Sequence, residues 1–448
     1  MVETSASVAG RVVFLHVGVM KTGTTYLQQL MYANRDALAA AGVLLPGQDW
    51  SRQVRAVQDL LHLSRLDPHV RTDKSGAWEE LAREVRASRL PVAVVSVEFL
   101  GGAHQRAIRR AVASLAPAEF RVVLTVRDIA GVLPGLWQTQ VHNGARYGWP
   151  GFLHDVVHPR PVPRLPMQRH RPQDVFRRSQ DVPAMLARWS SVVGADHVHV
   201  VTVPGGQDPA ELWQRFAAVI GVDPALATRS APTSNASIGL AATELLRRVN
   251  GHIGRLPPSE YNGTVKGPLA LRLLADPAPA EGRARLTPEG YDFALRWNAR
   301  TRAAVAASGV QVSGTLDDLP VVVEARHRAG LPPVPPGPEP RRMLYDAALA
   351  LRALDRMQRR RRRRLARLGI QVEPVEDRNL DAVRRRWESA ADPVDAAARD
   401  LAQVARQAAL LLRRLRRAEG TGALSDAGAG NGRSRRGRSS RSLRRSRR

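Results

Sequence analysis

The segment Arg11–Asn34, RVVFLHVGVMKTGTTYLQQLMYAN, decides how the rest of this chain is read. It opens on Val12-Val13-Phe14-Leu15, a short apolar run rich in β-branched and aromatic residues, as a buried strand requires. A polar turn follows, Gly18-Val19-Met20-Lys21-Thr22-Gly23-Thr24-Thr25, and then Leu27, Leu30, Met31 and Leu38 recur at helical spacing. Strand, glycine-punctuated loop and helix together aim backbone N–H groups and a helix N-terminus at one point, where a phosphate fits. Gly18 and Gly23 allow close backbone approach, Thr24 and Thr25 add hydroxyl donors, and Lys21 adds a mobile charge.

Lys21 stands out by rarity. The chain holds 68 Lys+Arg, but its lysines are Lys21, Lys74 and Lys266 only. A compact ammonium on a flexible stem suits a bridging phosphate oxygen better than a planar guanidinium does. The loop is not a Walker A, because that motif places its lysine after the second glycine and Lys21 precedes Gly23.

Further strands surround this one in the sequence. Gly42–Pro46 reads as a short strand leading to a loop with Trp50, and helical patterns follow around Val54–Leu61 and Trp78–Val85. Pro91–Glu98 and Phe120–Val126 are near-continuous apolar runs, the pattern of strands buried on both faces. The second ends in Arg127-Asp128 and leads to a helix with Leu133, Trp137 and Gln140. Residues 148–182, rich in Pro, His and Arg, show no period and read as a functional loop or an unstructured stretch. Regularity returns with a helix at Val182–Trp189, a strand at His197–Val203 and a helix at Ala210–Ile220. Thr233–Ser237 opens a helix expected at Ile238–Asn250, and two more are expected near Leu269–Leu274 and Tyr291–Ala307. This alternation predicts an α/β fold with a doubly wound parallel sheet and ligands at the strands' carboxyl ends.

Lys21-Thr22-Gly23-Thr24-Thr25 resembles the 5′-phosphosulfate-binding loop of the sulfotransferase family, roughly K-[ST]-G-T-[ST] between strand and helix. The similarity is to bacterial, actinobacterial-type members and spans about residues 11–310. It implies a P-loop-like sheet of the sulfotransferase type and transfer of a sulfuryl group from 3′-phosphoadenylyl sulfate (PAPS), with no metal. Lys21, Thr22, Gly23, Thr24 and Thr25 would then hold the 5′-phosphate, with Lys21 also stabilising the leaving oxygen. Arg127 resembles the family arginine that binds the 3′-phosphate. The partner serine of that site is missing, since Gly135 stands eight residues on from Arg127. A basic-glycine cofactor loop of the form G-x-x-G-x-x-K is not evident either; Gly251–Arg255 or the surroundings of Lys266 would have to replace it. Glu98, at the end of a buried strand, is the first candidate for a general base, against a plain turn-capping carboxylate. His142 is the second, and Trp50 is a candidate adenine-stacking ring or a packing residue. A nucleoside-phosphate kinase is disfavoured by the position of Lys21. A binding protein with this fold but no turnover is the competing class.

The net charge is +27, and the 108 residues 341–448 contribute +18 of it, leaving +9 on residues 1–340. The high charge is thus mainly a property of the C-terminal part. There are no cysteines, which excludes disulfides and Cys-based zinc sites. The start MVETSASVAG lacks a basic opening, so a cytoplasmic location is expected, with a membrane-peripheral position open to the basic tail.

Composition divides the chain into an α/β domain over 1–330, a Pro-rich linker over 331–340, a basic helical part over 341–419 and a Gly/Ser/Arg tail over 420–448, expected to be disordered. In the helical part, Val394, Ala397, Leu401, Val404, Ala408, Leu411 and Leu415 form a heptad seam. A break at Gly369–Glu376 suggests two helices folded back as a hairpin, and an intermolecular coiled coil through 394–415 is equally allowed. The arginine runs suit a polyanion or an anionic membrane surface, and the scarcity of aromatics among them argues against base stacking.

Overall fold

The computed structural model describes residues 10–63, 76–160, 171–205, 208–231, 239–270, 282, 284–322, 330–334, 337–373 and 378–430. Two compact units emerge: Met1–Gly251 with Leu274–Asp346, and His252–Leu273 with Ala347–Arg448.

The first unit is built on the expected opening strand, β1 (Val12–Gly18), in which every residue after Val12 is buried. Alternate side chains of β1 enter two different cores. Val13, Leu15 and Val17 pack with Trp78, Ile108 and Trp189, while Phe14 packs with Leu27, Met31, Trp213 and Phe216. A strand covered on both faces must be apolar on both, so its sequence reads as a run rather than an alternation. Each large apolar side chain removed from water in this way contributes about 1.5–3 kcal/mol.

The remaining strands are β2 (Val43–Leu44), β3 (Val92–Ser96), β4 (Glu119–Val126), β5 (Val198–Thr202) and β6 (Gln311–Ser313). They form one sheet in the order β2-β3-β1-β4-β5-β6, with every pairing parallel. Parallel neighbours need crossovers, and helices supply them. Helices Thr24–Ala33 and Pro209–Ile220 cover the Phe14 face; helices Trp50–Leu60, Ala77–Ala87, Gln105–Leu115 and Val182–Val193 cover the other. The doubly wound α/β architecture is therefore present. After β1 the chain builds β2 and β3 on one side, then crosses to place β4 on the other, so the connections leaving β1 and β4 diverge. Crevices for ligands form at such a point.

The stretch 148–182 differs from its expectation. Helices Trp149–Val157 and Pro172–Gln180 occupy most of it, and residues 161–170 lie outside the described residues. Both helices carry proline in their first turn, where a missing N–H costs nothing, so the prolines mark helix starts rather than a loop. The segment Thr233–Ser237 lies outside the described residues; the helix after it runs Leu240–His252. The helix expected near Leu269–Leu274 falls largely outside them as well, preceded by a π-helix over Asn262–Leu269.

In the second unit, the part of helix Pro340–Arg367 from Ala347 on and helix Pro393–Gly430 do not form the expected hairpin. Gln358 Nε2 donates to Val404 O (2.9 Å) and Gln407 Oε1 (3.2 Å), Arg361 Nη1 to Ala408 O (2.6 Å), and Leu365 packs on Leu411 and Leu415. Residue numbers rise together on both helices, so the two run parallel. Helix Leu380–Glu388 lies between them in sequence, tied down by Trp387 Nε1 donating to Asp400 Oδ2 at 2.8 Å. The seam from Val394 to Leu415 is buried within this single chain. Residues 420–430 continue the second long helix, and residues 431–448 lie outside the described residues. Among the described residues no helix is long and apolar enough to cross a membrane.

Candidate functional site

The loop after β1 is held from below and from the side. Val19 N donates to Thr125 O (2.8 Å), and Thr125 Oγ1 donates to Gly18 O (3.1 Å), which ties the loop to the neighbouring strand β4. Thr22 Oγ1 donates to Val19 O at 2.6 Å and lies 2.6 Å from Thr125 Oγ1, so the loop closes on itself over β4. Gln180, at the end of helix Pro172–Gln180, donates its Nε2 to Met20 O at 2.8 Å. Thr22, one of the residues expected to hold the 5′-phosphate, is fully buried, and its hydroxyl is engaged with Val19 O and Thr125.

Beneath the loop lies a buried polar chain. His16 Nδ1 is 2.8 Å from Ser96 Oγ and its Nε2 is 3.3 Å from Thr125 Oγ1. Complete burial lowers the His16 pKa to about 3, so the imidazole is neutral at ordinary pH. One ring nitrogen donates and the other accepts, and the two hydroxyls satisfy both.

Gly23 forms the N-cap of helix Thr24–Ala33 at φ 82°, a left-handed conformation that glycine adopts without steric cost. A Cβ there would meet Leu212 Cδ2 at 2.5 Å. Gly23 has no side chain to cap this helix, so its first N–H groups can be offered to an external acceptor. Thr24 is buried at the helix start and Thr25 is exposed.

Lys21 adopts φ 67°, and its side chain lies beside Gly135 of helix Ile129–His142, where a Cβ would sit 3.5 Å from Lys21 Cδ. Lys21 is exposed by area, yet protein atoms crowd around its ammonium and desolvation lowers its pKa, with the charge of Glu98 acting the other way. Both observations hold together: the ammonium stands at the mouth of the site, shielded on the protein side.

Arg127 leaves β4 and lies along the same helix one turn earlier. A Cβ on Gly131 would stand 3.4 Å from Arg127 Nε. Gly131 and Gly135, four residues apart, therefore give that helix a smooth strip along which the two cationic side chains run. Asp128 has a structural role. Its Oδ1 accepts from Ala130 N (3.1 Å) and from Asn298 Nδ2 (2.7 Å), and Asn298 Oδ1 accepts from Ile129 N at 3.2 Å. It caps the helix, which accounts for an aspartate at the end of an apolar strand without any ion.

Glu98 opens the short 3-10 helix Glu98–Gly102 after β3. Its Oε2 accepts from Gln28 Nε2 at 3.2 Å, and its Cβ would stand 3.3 Å from a Cβ on Gly18. Gln28 Nε2 also donates to Ser96 O (3.0 Å), as does Trp50 Nε1 (3.0 Å). The ends of β3, β1 and β4 thus bring Glu98, Lys21 and Arg127 to one edge of the sheet, with the Trp50 ring anchored beside Glu98. His142 is not brought there: it ends helix Ile129–His142, about 10 Å along the axis from Gly135. Of the proposed replacements for the basic-glycine loop, Gly251 closes the first unit's first segment, while Gly254, Arg255 and Lys266 belong to the second unit.

Sequence reasoning missed Gln28, Ser96, Thr125 and Gln180. Three of them are polar residues at or near the ends of buried elements, which is the available signal; the partner of Gln180 lies 160 positions away, which no local pattern announces. Chemically, uncapped helix N–H groups, an ammonium and a guanidinium suit a ligand with two or more oxyanions. Comparison of the chain with models of protein families, with curated proteins and with solved structures gives no match.

Proposed function

We propose that this chain is a P-loop-like sulfotransferase, moving a sulfuryl group from PAPS to a hydroxyl or amine of a saccharide, glycolipid or small metabolite. The observation that carries this reading is the convergence of Lys21, Glu98 and Arg127 at the carboxyl ends of β1, β3 and β4. The N–H groups that open helix Thr24–Ala33 and the Lys21 ammonium would take the 5′-phosphate side of the donor, and Arg127 the 3′-phosphate. In the reaction the bond from sulfur to the bridging oxygen breaks as a bond from the acceptor oxygen or nitrogen to sulfur forms. Glu98 takes the acceptor proton, and Lys21 neutralises charge on the departing phosphate. Positioning and charge stabilisation do most of the work in such in-line displacements. Removing one stabilising contact of this kind typically costs about 2.7–4 kcal/mol of barrier.

Gly135 favours a second reading, a non-catalytic protein of this fold tethered to polyanions by its basic tail, because the expected cofactor hydroxyl is absent there. Transfer of radiolabelled sulfate from PAPS across an acceptor panel, with Lys21→Ala as control, separates the two. Transfer by the natural chain and not by the variant supports the enzyme. Calorimetry with 3′-phosphoadenosine 5′-phosphate discriminates further: no binding supports the non-catalytic scaffold and overturns the enzyme, and binding together with transfer overturns the scaffold.

A further inference from the structure

The sequence places six consecutive arginines at 359–364, and six consecutive helical residues point all around a helix. Folding sorts them. Leu351, Leu354, Gln358 and Leu365 are buried, and Arg361 is turned inward to Gly263 O (2.6 Å), Thr264 Oγ1 (2.9 Å) and Ala408 O. Arg352, Arg356, Arg359, Arg363 and Arg367 are exposed. Their spacing of four, three, four and four keeps them on one face, in a straight stripe about 22 Å long. The one acid between Arg352 and Arg367 is Asp355, and Arg378 occupies it.

The parallel course of the two long helices adds to this. It brings Arg414, Arg416 and Arg417 of the second helix to the same end as the arginine run, where a hairpin would have separated them. Burial lowers the pKa of Arg361 to about 10, and repulsion from Arg416 acts in the same direction.

We propose that this arginine stripe is a docking surface for the phosphodiester backbone of duplex nucleic acid. A stretch of duplex of this length carries about six phosphates per strand, wound around the axis, and the stripe meets those on its own side. Guanidinium groups match phosphate oxygens in bidentate fashion. The stripe carries no aromatic residue to stack on unpaired bases, which favours a duplex over a single strand. A membrane surface fits less well, because a helix lying in that interface needs an apolar flank and here the apolar side is buried in the protein. Leu368, exposed at the end of the stripe, is too small a wedge to change that. The inference concerns folded residues and does not depend on the donor site.

The test uses the full chain and a labelled mixed-sequence duplex, with binding followed by anisotropy over a salt series. Arg352→Gln, Arg356→Gln, Arg363→Gln and Arg367→Gln are combined in one variant, and the nine arginines after residue 430 are changed to Gln in another. The stripe variant should weaken binding at least about tenfold and flatten the log–log salt slope by about three to four. A lysine version of the same four positions should keep the slope, and unchanged circular dichroism shows that the variants fold. Undiminished binding by the stripe variant, with binding abolished in the tail variant, overturns the proposal. So does tighter binding to phosphatidylserine vesicles or to single strands than to the duplex.

Discussion

The side chain of Lys21 passes the open Cβ position of Gly135, so the helix leaving β4 borders the stem of the loop's lysine. The glycine that looked like a missing cofactor contact therefore faces the very lysine the loop presents. A side chain at 135 would sit 3.5 Å from Lys21 Cδ, an ordinary contact. Gly135→Ser should leave the lysine in place and gain about 0.5 kcal/mol of helix stability, and it should tighten binding of 3′-phosphoadenosine 5′-phosphate. Gly135→Leu should displace the lysine and weaken that binding by about tenfold or more. Calorimetry on both variants checks this, and equal affinity for the two would show that the contact is immaterial.

Anion binding at the loop should fade at high pH earlier than an ordinary lysine would dictate. Desolvation lowers the Lys21 pKa, and the charged form, which binds the anion, is complete below that pKa and lost as pH rises through it. Glu98 opposes the shift, so Glu98→Gln should move the loss to lower pH still. Nucleotide affinity measured across the alkaline range checks both displacements; a midpoint that Glu98→Gln moves upward would contradict the geometry.

Acid stability should depend on His16. Its folded pKa, about 3, lies below the unfolded value of 6.5, so the unfolded chain binds the proton and the folded one does not. Stability is then complete above 6.5 and falls with pH by about 1.4 kcal/mol per unit until the folded pKa is reached. His16→Gln should flatten this limb in urea titrations between pH 6.5 and 4, at some cost to stability at neutral pH. An unchanged slope would place the acid sensitivity elsewhere.

Gly23→Ala should destabilise by about 1–3 kcal/mol, the usual penalty for a side chain in a left-handed position. The added methyl group also meets Leu212, so Leu212→Ala in the same chain should recover the steric part and not the backbone part. A double-mutant cycle separates them, and full recovery would mean that backbone conformation contributes nothing here.

The parallel register of the long helices can be trapped chemically, because the chain has no cysteine to interfere. Gln358→Cys with Gln407→Cys should be joined efficiently by a short bis-thiol reagent, as the two side chains touch at 3.2 Å. Gln358→Cys with Arg384→Cys serves as the comparison, and preferential joining of that pair would refute the register.

Much of the sheet could be read from the sequence because its strands are buried on both faces: Val12–Leu15, Pro91–Ser96 and Phe120–Val126 are mostly apolar on both alternations. The loop was legible because glycines, threonines and a rare lysine lie together within eight residues. What escaped was set by long-range partners. Pro150 and Pro172 looked like loop residues until their place in the first turn of a helix was seen. The buried hydroxyl pairing of Thr22 was not legible because its partner Thr125 is 103 residues away. The hairpin reading of the C-terminal helices rested on the break at Gly369–Glu376 and took the chain from about Asn379 as one helix, whereas it divides into Leu380–Glu388 and Pro393–Gly430. Direction was decided by the short helix Leu380–Glu388 between the two long ones.

The bond from Gln180 to the carbonyl of Met20 has a consequence for biosynthesis. A loop complete in sequence by residue 25 cannot take its final shape until Thr125 and Gln180 have left the ribosome, and Trp297, which donates to Gln180 O at 3.2 Å, braces it later still. The earliest-made loop is thus among the last to be finished, and a nascent chain completes its shape only after most of the sheet has been synthesised around it.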